Sequence, residues 1–148
     1  MTSSLASYYN NELEEWKDVL HFHAQEIEEF EVWLGEIIQG NTVPNLAAQA
    51  EHYFAQFAGQ RHRFETLAGK VYGLQGQLLK DDEPVADELI TPGIEASQNT
   101  LRDQMLEAEK GFLELKYHCH KFISDTLGKQ KRGRKEGPKD DQADGPTD

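Results

Sequence analysis

Three consecutive residues near the end of the chain, His118, Cys119 and His120, carry side chains that bind transition metals. The segment around them, LKYHCHKF (115–122), has the apolar spacing of a helix, in which successive side chains point about 100° apart. Cys119 then faces the core, and the two histidines diverge on either side of it. We therefore do not expect these three residues to bind one ion together.

No other pattern in the sequence predicts a metal site or a catalytic site. Helical bundles that bind two irons use Glu-x-x-His on facing helices, and this spacing does not occur in the sequence. Cys119 has no base placed near it by the helical pattern, and no glycine-rich phosphate loop precedes a helix. The sequence therefore predicts no metal, no cofactor, no catalytic residues and no enzymatic activity.

The elements that would position these side chains are three long helices with heptad patterns. Apolar residues recur at alternating spacings of three and four, which is typical of helices that pack side by side along their length. The first seam holds Leu13, Trp16, Leu20, His23, Ile27, Phe30, Leu34 and Ile37; the second holds Leu46, Ala50, Tyr53, Phe57, Gln60, Phe64, Leu67, Val71, Leu74 and Leu78; the third holds Leu101, Met105, Ala108, Phe112, Leu115, Cys119, Phe122 and Thr126.

Turn and capping signals separate these helices and predict the fold class. We expect an all-α protein, an elongated up-down-up antiparallel three-helix bundle over 1–128 with coiled-coil-like packing. The expected helices span about 5–39, 44–80 and 93–127, and residues 84–90 form either a short turn of their own or an extension of the third helix. The charged, glycine- and proline-rich residues 129–148 are expected to be a disordered tail.

Two seam positions are polar, His23 on the first helix and Gln60 on the second. With the first turn centred near residue 42, residue n of the first helix faces about 84 − n of the second, so the two side chains fall at one level. A hydrogen bond between them is expected, because a buried polar group without a partner costs about 1–3 kcal/mol. This polar core layer either fixes the register of the helices or forms a mid-bundle pocket for a ligand or metal.

A second row of apolar residues runs along the outside of the third helix. Leu106, Leu113, His120 and Leu127 recur every seven residues, one step beyond the buried seam, and Tyr117 lies beside them. A three-helix core does not need apolar residues at that position. The row indicates a surface for self-association or for a helical partner. The alternative is that the first helix wraps far enough to cover it.

The charge and composition of the chain narrow the classes of partner. The net charge of −12 argues against nucleic acid, and no apolar run is long enough to cross a membrane. The N-terminus lacks the features of a secretion signal, and a single cysteine fits a reducing compartment, so a cytoplasmic location is expected. The basic run KQKRGRK (129–135) is either a phosphate-binding arm or, with the acids that follow, a solvated tail.

The first two helices carry a loose resemblance to known proteins. The stretch NELEEWKDVLHFHAQEIEEFEVWLGEI, followed by NT and EHYFAQF, resembles a group of small all-helical bacterial proteins of unknown function. In the third helix only GFLELKYHCHKFISDTL is similar. The resemblance implies a helical fold and a bacterial cytosol, and it implies no functional residues.

Two hypotheses about function follow from these patterns. The first is a non-enzymatic interaction or scaffolding module that forms a homo-oligomer or binds a helical protein through its helix faces. The second is a ligand- or metal-binding bundle built around His23 and Gln60.

Overall fold

The structure, a computed structural model, describes the backbone of residues 4–40 and 44–135 and the side chains of 4–40 and 45–126. Three long helices account for most of it: α1 (Leu5–Gly40), α2 (Pro44–Leu78) and α3 (Pro92–Lys135). Side-chain pairs show α1 antiparallel to α2 and parallel to α3. The protein is therefore an all-α, up-down-up three-helix bundle, as the heptad patterns predict.

The three predicted seams form the core. Phe57, Phe112 and Ile27 are fully buried, and each such side chain contributes about 1.5–3 kcal/mol by its removal from water. Nearly every seam position is buried, and the exceptions Trp16, Leu46, Tyr53, Gln60 and Phe122 are partly buried. The heptad spacing therefore identified the core correctly.

The register of α1 against α2 differs from the predicted one. His23 stacks on Phe64 with 5.2 Å between ring centroids, and Phe30 stacks on Phe57 at 4.8 Å. In both pairs the residue numbers add to 87, so residue n faces 87 − n, whereas the sequence predicted 84 − n. A three-residue shift is almost one helical turn. The prediction was wrong because it centred the turn at residue 42, inside a connection whose composition does not define its midpoint.

The connection between α2 and α3 contains a hairpin that the sequence did not predict and a short helical turn that was one of its two predicted alternatives. Strands β1 (Leu79–Lys80) and β2 (Glu83–Pro84) form an antiparallel pair around Asp81 and Asp82. Both aspartates have positive φ, 53° and 64°, as the tight turn of a two-residue hairpin requires. A 3₁₀ helix (Asp87–Leu89) follows, so residues 84–90 do not extend α3.

Helix α3 begins with a threonine at its N-cap and ends later than predicted. The Thr91 hydroxyl accepts a hydrogen bond from the Ile94 N–H at 3.1 Å, as an N-cap residue does. The helix continues through Gly128 and Gly133 to Lys135, because each glycine costs a helix only about 1 kcal/mol and the other residues of 129–135 are lysine, arginine and glutamine. The rest of the expected tail, 136–148, lies outside the described residues. None of the described helices is long and apolar enough to span a membrane.

Candidate functional site

His23 is a buried polar residue at the middle of the bundle, and its side chain contacts residues of all three helices. Its ring lies between Phe64 of α2 and Phe112 of α3, with centroid distances of 5.2 and 4.8 Å. Its Nε2 atom lies 3.0 Å from Oε2 of Glu109, and its Nδ1 atom lies 3.3 Å from Oε1 of Glu26. A carboxylate only accepts hydrogen bonds, so both contacts are hydrogen bonds when both ring nitrogens carry a proton.

The predicted hydrogen bond between His23 and Gln60 is wrong. The register shift places Phe64, instead of Gln60, against the histidine ring. The Oε1 atom of Gln60 is buried and has no hydrogen-bond partner among the described residues. Both nitrogens of His23 face carboxylates, so the ring has no nitrogen left for a ligand in a shared pocket with Gln60.

The carboxylates around His23 join α1 to α3. Glu26 also accepts a hydrogen bond from Lys116 Nζ at 2.8 Å, and that ammonium lies 5.1 Å from the centre of the Phe112 ring. The resulting chain of contacts runs from Glu109 through His23 and Glu26 to Lys116. It crosses between the helices twice, so it sets their relative height as well as satisfying a buried imidazole.

The three residues that could have formed a metal site point in three directions. Cys119 is fully buried, and burial raises the pKa of its thiol to about 12. His118 lies on the side of α3 that faces α2, and His120 lies on the side that faces α1. Among the described side chains, those of 4–40 and 45–126, no group of three or more histidine, cysteine or acidic residues has the arrangement of a metal site.

A surface that we call the α1–α3 face carries exposed apolar side chains from both helices. Trp33 of α1 and Leu113, Tyr117 and His120 of α3 line one cavity of about 380 Å³ between the helices. His120 lies 6.1 Å from the Trp33 ring, nearly parallel to it. The α1–α3 face is completed at neighbouring turns by Phe22 and Leu106.

Helical spacing predicted an outer row on α3 that includes Leu106, Leu113 and Tyr117. In the structure α1 does not cover these side chains. Leu106, Leu113 and Tyr117 are 62, 55 and 67% exposed, although α1 runs alongside them. The structure therefore brings together Leu113, Tyr117 and His120 in one cavity and leaves Leu106 one repeat away. The side chain of Leu127, which the sequence placed in the same row, lies outside the described residues.

A second polar cluster near the start of the helices was missed by the sequence analysis. The Arg102 guanidinium donates two hydrogen bonds of 2.7 Å to Glu12, and buried Gln98 donates to the same carboxylate at 2.8 Å and to the Tyr9 carbonyl at 3.2 Å. Burial raises the pKa of the Glu12 carboxyl, but these hydrogen bonds outweigh it, and the pKa lies below its ordinary value. Extending the third seam three residues back from Leu101 would have found Gln98.

Comparisons with protein-family models, with curated proteins and with solved structures each found no match to this chain.

Proposed function

We propose that the protein is a non-enzymatic interaction module that self-associates through its α1–α3 face. The observation that carries this proposal is the row Leu106, Leu113 and Tyr117, each more than half exposed, of which Leu113 and Tyr117 line one cavity with Trp33. Single exposed apolar residues are common on soluble proteins, whereas exposed apolar residues grouped on one face of two helices are typical of an interface; Glu26, Glu29 and Lys116 line the same cavity and form its polar surround. The partner that fits it is a second copy of the chain, in antiparallel orientation.

The spacing of the row supports an antiparallel pair with its two-fold axis at Leu113. Leu106 and His120 lie seven residues on either side of Leu113, so residue n of one α3 faces 226 − n of the other. Leu113 then meets its own copy, and each Leu106 meets a His120 that stacks on Trp33. Such self-complementarity is what a two-fold interface requires.

The charge pattern also supports this orientation. The pairing of Glu26 with Lys116 is an offset of 90, which places the end of α1 at Gly40 level with about residue 130 of α3. The segment 129–135, with five bases and no acid, therefore extends past the end of α1. In the antiparallel pair it is level with 91–97 of the second copy, next to a connection that holds five acids between 81 and 88.

A parallel pair would have the opposite electrostatics, since it would bring two basic segments together at one end and two acidic connections at the other. The backbone of Asp87 lies at the same end as the start of α1, because its carboxylate accepts a hydrogen bond from the Leu5 N–H at 3.0 Å. The acidic connection is thereby held at the end of the bundle that the basic segment of a second copy would reach.

The test is a measurement of mass in solution on wild type and two matched variants. The 16.9 kDa chain should sediment at twice that mass, and Leu113→Glu should weaken the dimer by about 100-fold or more, because two leucines leave the interface and two carboxylates meet at the axis. Tyr72→Glu changes a similarly exposed apolar side chain on α2, outside the α1–α3 face and away from the acidic connection, and should leave the dimer unchanged. A wild-type monomer at every concentration, or equal effects of the two variants, would contradict the proposal.

A further inference from the structure

A different surface of the molecule, between α2 and α3, contains a cavity of about 580 Å³. We call it the α2–α3 groove. It is lined by Tyr53, Gln56, Gln60 and Arg63 on α2 and by Leu115 and His118 on α3. The volume falls within the range of small-molecule sites. None of these residues belongs to the α1–α3 face.

The α2–α3 groove has the opposite charge to the rest of the protein. The chain carries a net charge of −12, yet no acidic residue lines the groove. Arg63 is always charged, and His118 and His52 add two further basic side chains. Within the described part of the chain, Arg63 has no carboxylate within ion-pairing distance. The side chains that line the groove therefore carry a charge opposite in sign to the net charge of the chain.

Two hydrogen-bond donors converge at a glycine on the wall of the α2–α3 groove. A β-carbon added at Gly111 would lie 3.4 Å from Gln60 Nε2 and 3.8 Å from Arg63 Nη1. Glycine leaves that space free, although it costs a helix about 1 kcal/mol relative to alanine. The Gln60 amide is oriented with its oxygen buried and without a partner, which leaves its amino group on the groove side. The Gln60 amide and the Arg63 guanidinium therefore both face one position, over Gly111.

We propose that the α2–α3 groove binds a small organic anion with a phosphate or carboxylate group. The oxyanion lies over Gly111, where Arg63 and Gln60 donate hydrogen bonds to it. The body of the molecule lies along Leu115 toward Tyr53, which supply the apolar wall of the groove. This binding site is independent of the proposed self-association.

The experiment is a titration of the full chain with phenyl phosphate, followed by NMR. The signals of the Arg63 guanidinium and the His118 ring should shift and saturate, with inorganic phosphate binding more weakly because it has no apolar body. Arg63→Gln should weaken binding about tenfold or more, since it removes a hydrogen bond from a charged donor to the oxyanion. Lys80→Gln removes the same charge at the exposed hairpin and should leave binding unchanged.

A second variant separates loss of binding from loss of folding. Gly111→Ala should stabilise the helix, yet its methyl group occupies the space between the two donors and should weaken phenyl phosphate binding at least about fivefold. The proposal is overturned if the shifts do not saturate, or if phenyl phosphate binds no more tightly than inorganic phosphate. It is also overturned if Arg63→Gln and Lys80→Gln weaken binding equally, or if Gly111→Ala binds as the wild type does.

Discussion

The Nε2 atom of His23 lies 3.0 Å from Oε2 of Glu109, so a buried imidazole on α1 is held by a partly exposed carboxylate on α3. This contact explains how a histidine occupies a heptad core position without an unsatisfied polar atom. Leucine or phenylalanine at position 23 would also present an apolar surface to Phe64 and Phe112. Neither side chain would fix the position of α3 along the bundle axis, because apolar contacts are not directional. The polar contact therefore supplies register, in the way that buried polar residues do in coiled coils.

Removal of the Glu109 carboxylate should destabilise the fold more than removal of a neighbouring acid. We expect Glu109→Ala to lower the free energy of unfolding by about 1–2 kcal/mol, because it leaves a nitrogen of buried His23 without a partner. Glu107→Ala makes the same substitution at an exposed position of the same helix and should change it by less than about 0.5 kcal/mol. Urea unfolding of both variants measures the difference, and equal values would contradict this role of Glu109.

The sequence predicted which residues are buried much better than it predicted what they contact. Spacing alone identifies a core face, because the helical period places Leu13, Phe57 and Phe112 inward whatever the height of the neighbouring helix. Contacts between helices also depend on the relative position of the helices along the bundle axis. Because the first turn was misplaced by three residues, the sequence placed Gln60 beside the His23 ring, where the structure has Phe64. The partner Glu109 lies just outside the seam, at a position where a glutamate usually only contacts solvent.

The acid sensitivity of the fold should depend on Glu12. The pKa of its carboxyl lies below the ordinary value, since Arg102 and Gln98 hold the charged form more strongly than burial disfavours it. The folded state therefore holds this proton less tightly than the unfolded state. The stabilisation is complete above the unfolded pKa of about 4.3 and is lost as the pH falls through the lower folded value.

Glu12→Gln should therefore lower stability at neutral pH by about 1 kcal/mol, and its unfolding free energy should converge with that of the wild type in acid. Chemical unfolding at a series of pH values from neutral into the acid range measures this. Glu15→Gln changes an exposed glutamate of the same helix. The small difference between its unfolding free energy and that of the wild type should not vary with pH in the same way. A difference for Glu12→Gln that stays constant down to low pH would show that its charge does not contribute.

Cys119 should be unreactive while the protein is folded. Burial raises the pKa of its thiol to about 12, so the reactive thiolate is a fraction of only about 10⁻⁵ at neutral pH, and the sulfur is also inaccessible. A thiol-specific disulfide reagent should label no cysteine within minutes in native buffer and one cysteine in urea. A Ser124→Cys variant, with its new thiol at an exposed position, should be labelled once at neutral pH without urea. Immediate labelling of the wild type would contradict the burial of Cys119.

The register of the proposed dimer can be tested by disulfide cross-linking in a Cys119→Ala background. Leu113→Cys should oxidise to a covalent dimer, because each copy places residue 113 at the two-fold axis. Leu106→Cys alone should cross-link poorly, since its opposite residue is His120, and a mixture of Leu106→Cys and His120→Cys chains should form the mixed dimer. Non-reducing gel electrophoresis distinguishes these outcomes. Efficient cross-linking of Leu106→Cys with itself would indicate a parallel pair, in which the basic segments meet and the charge argument fails.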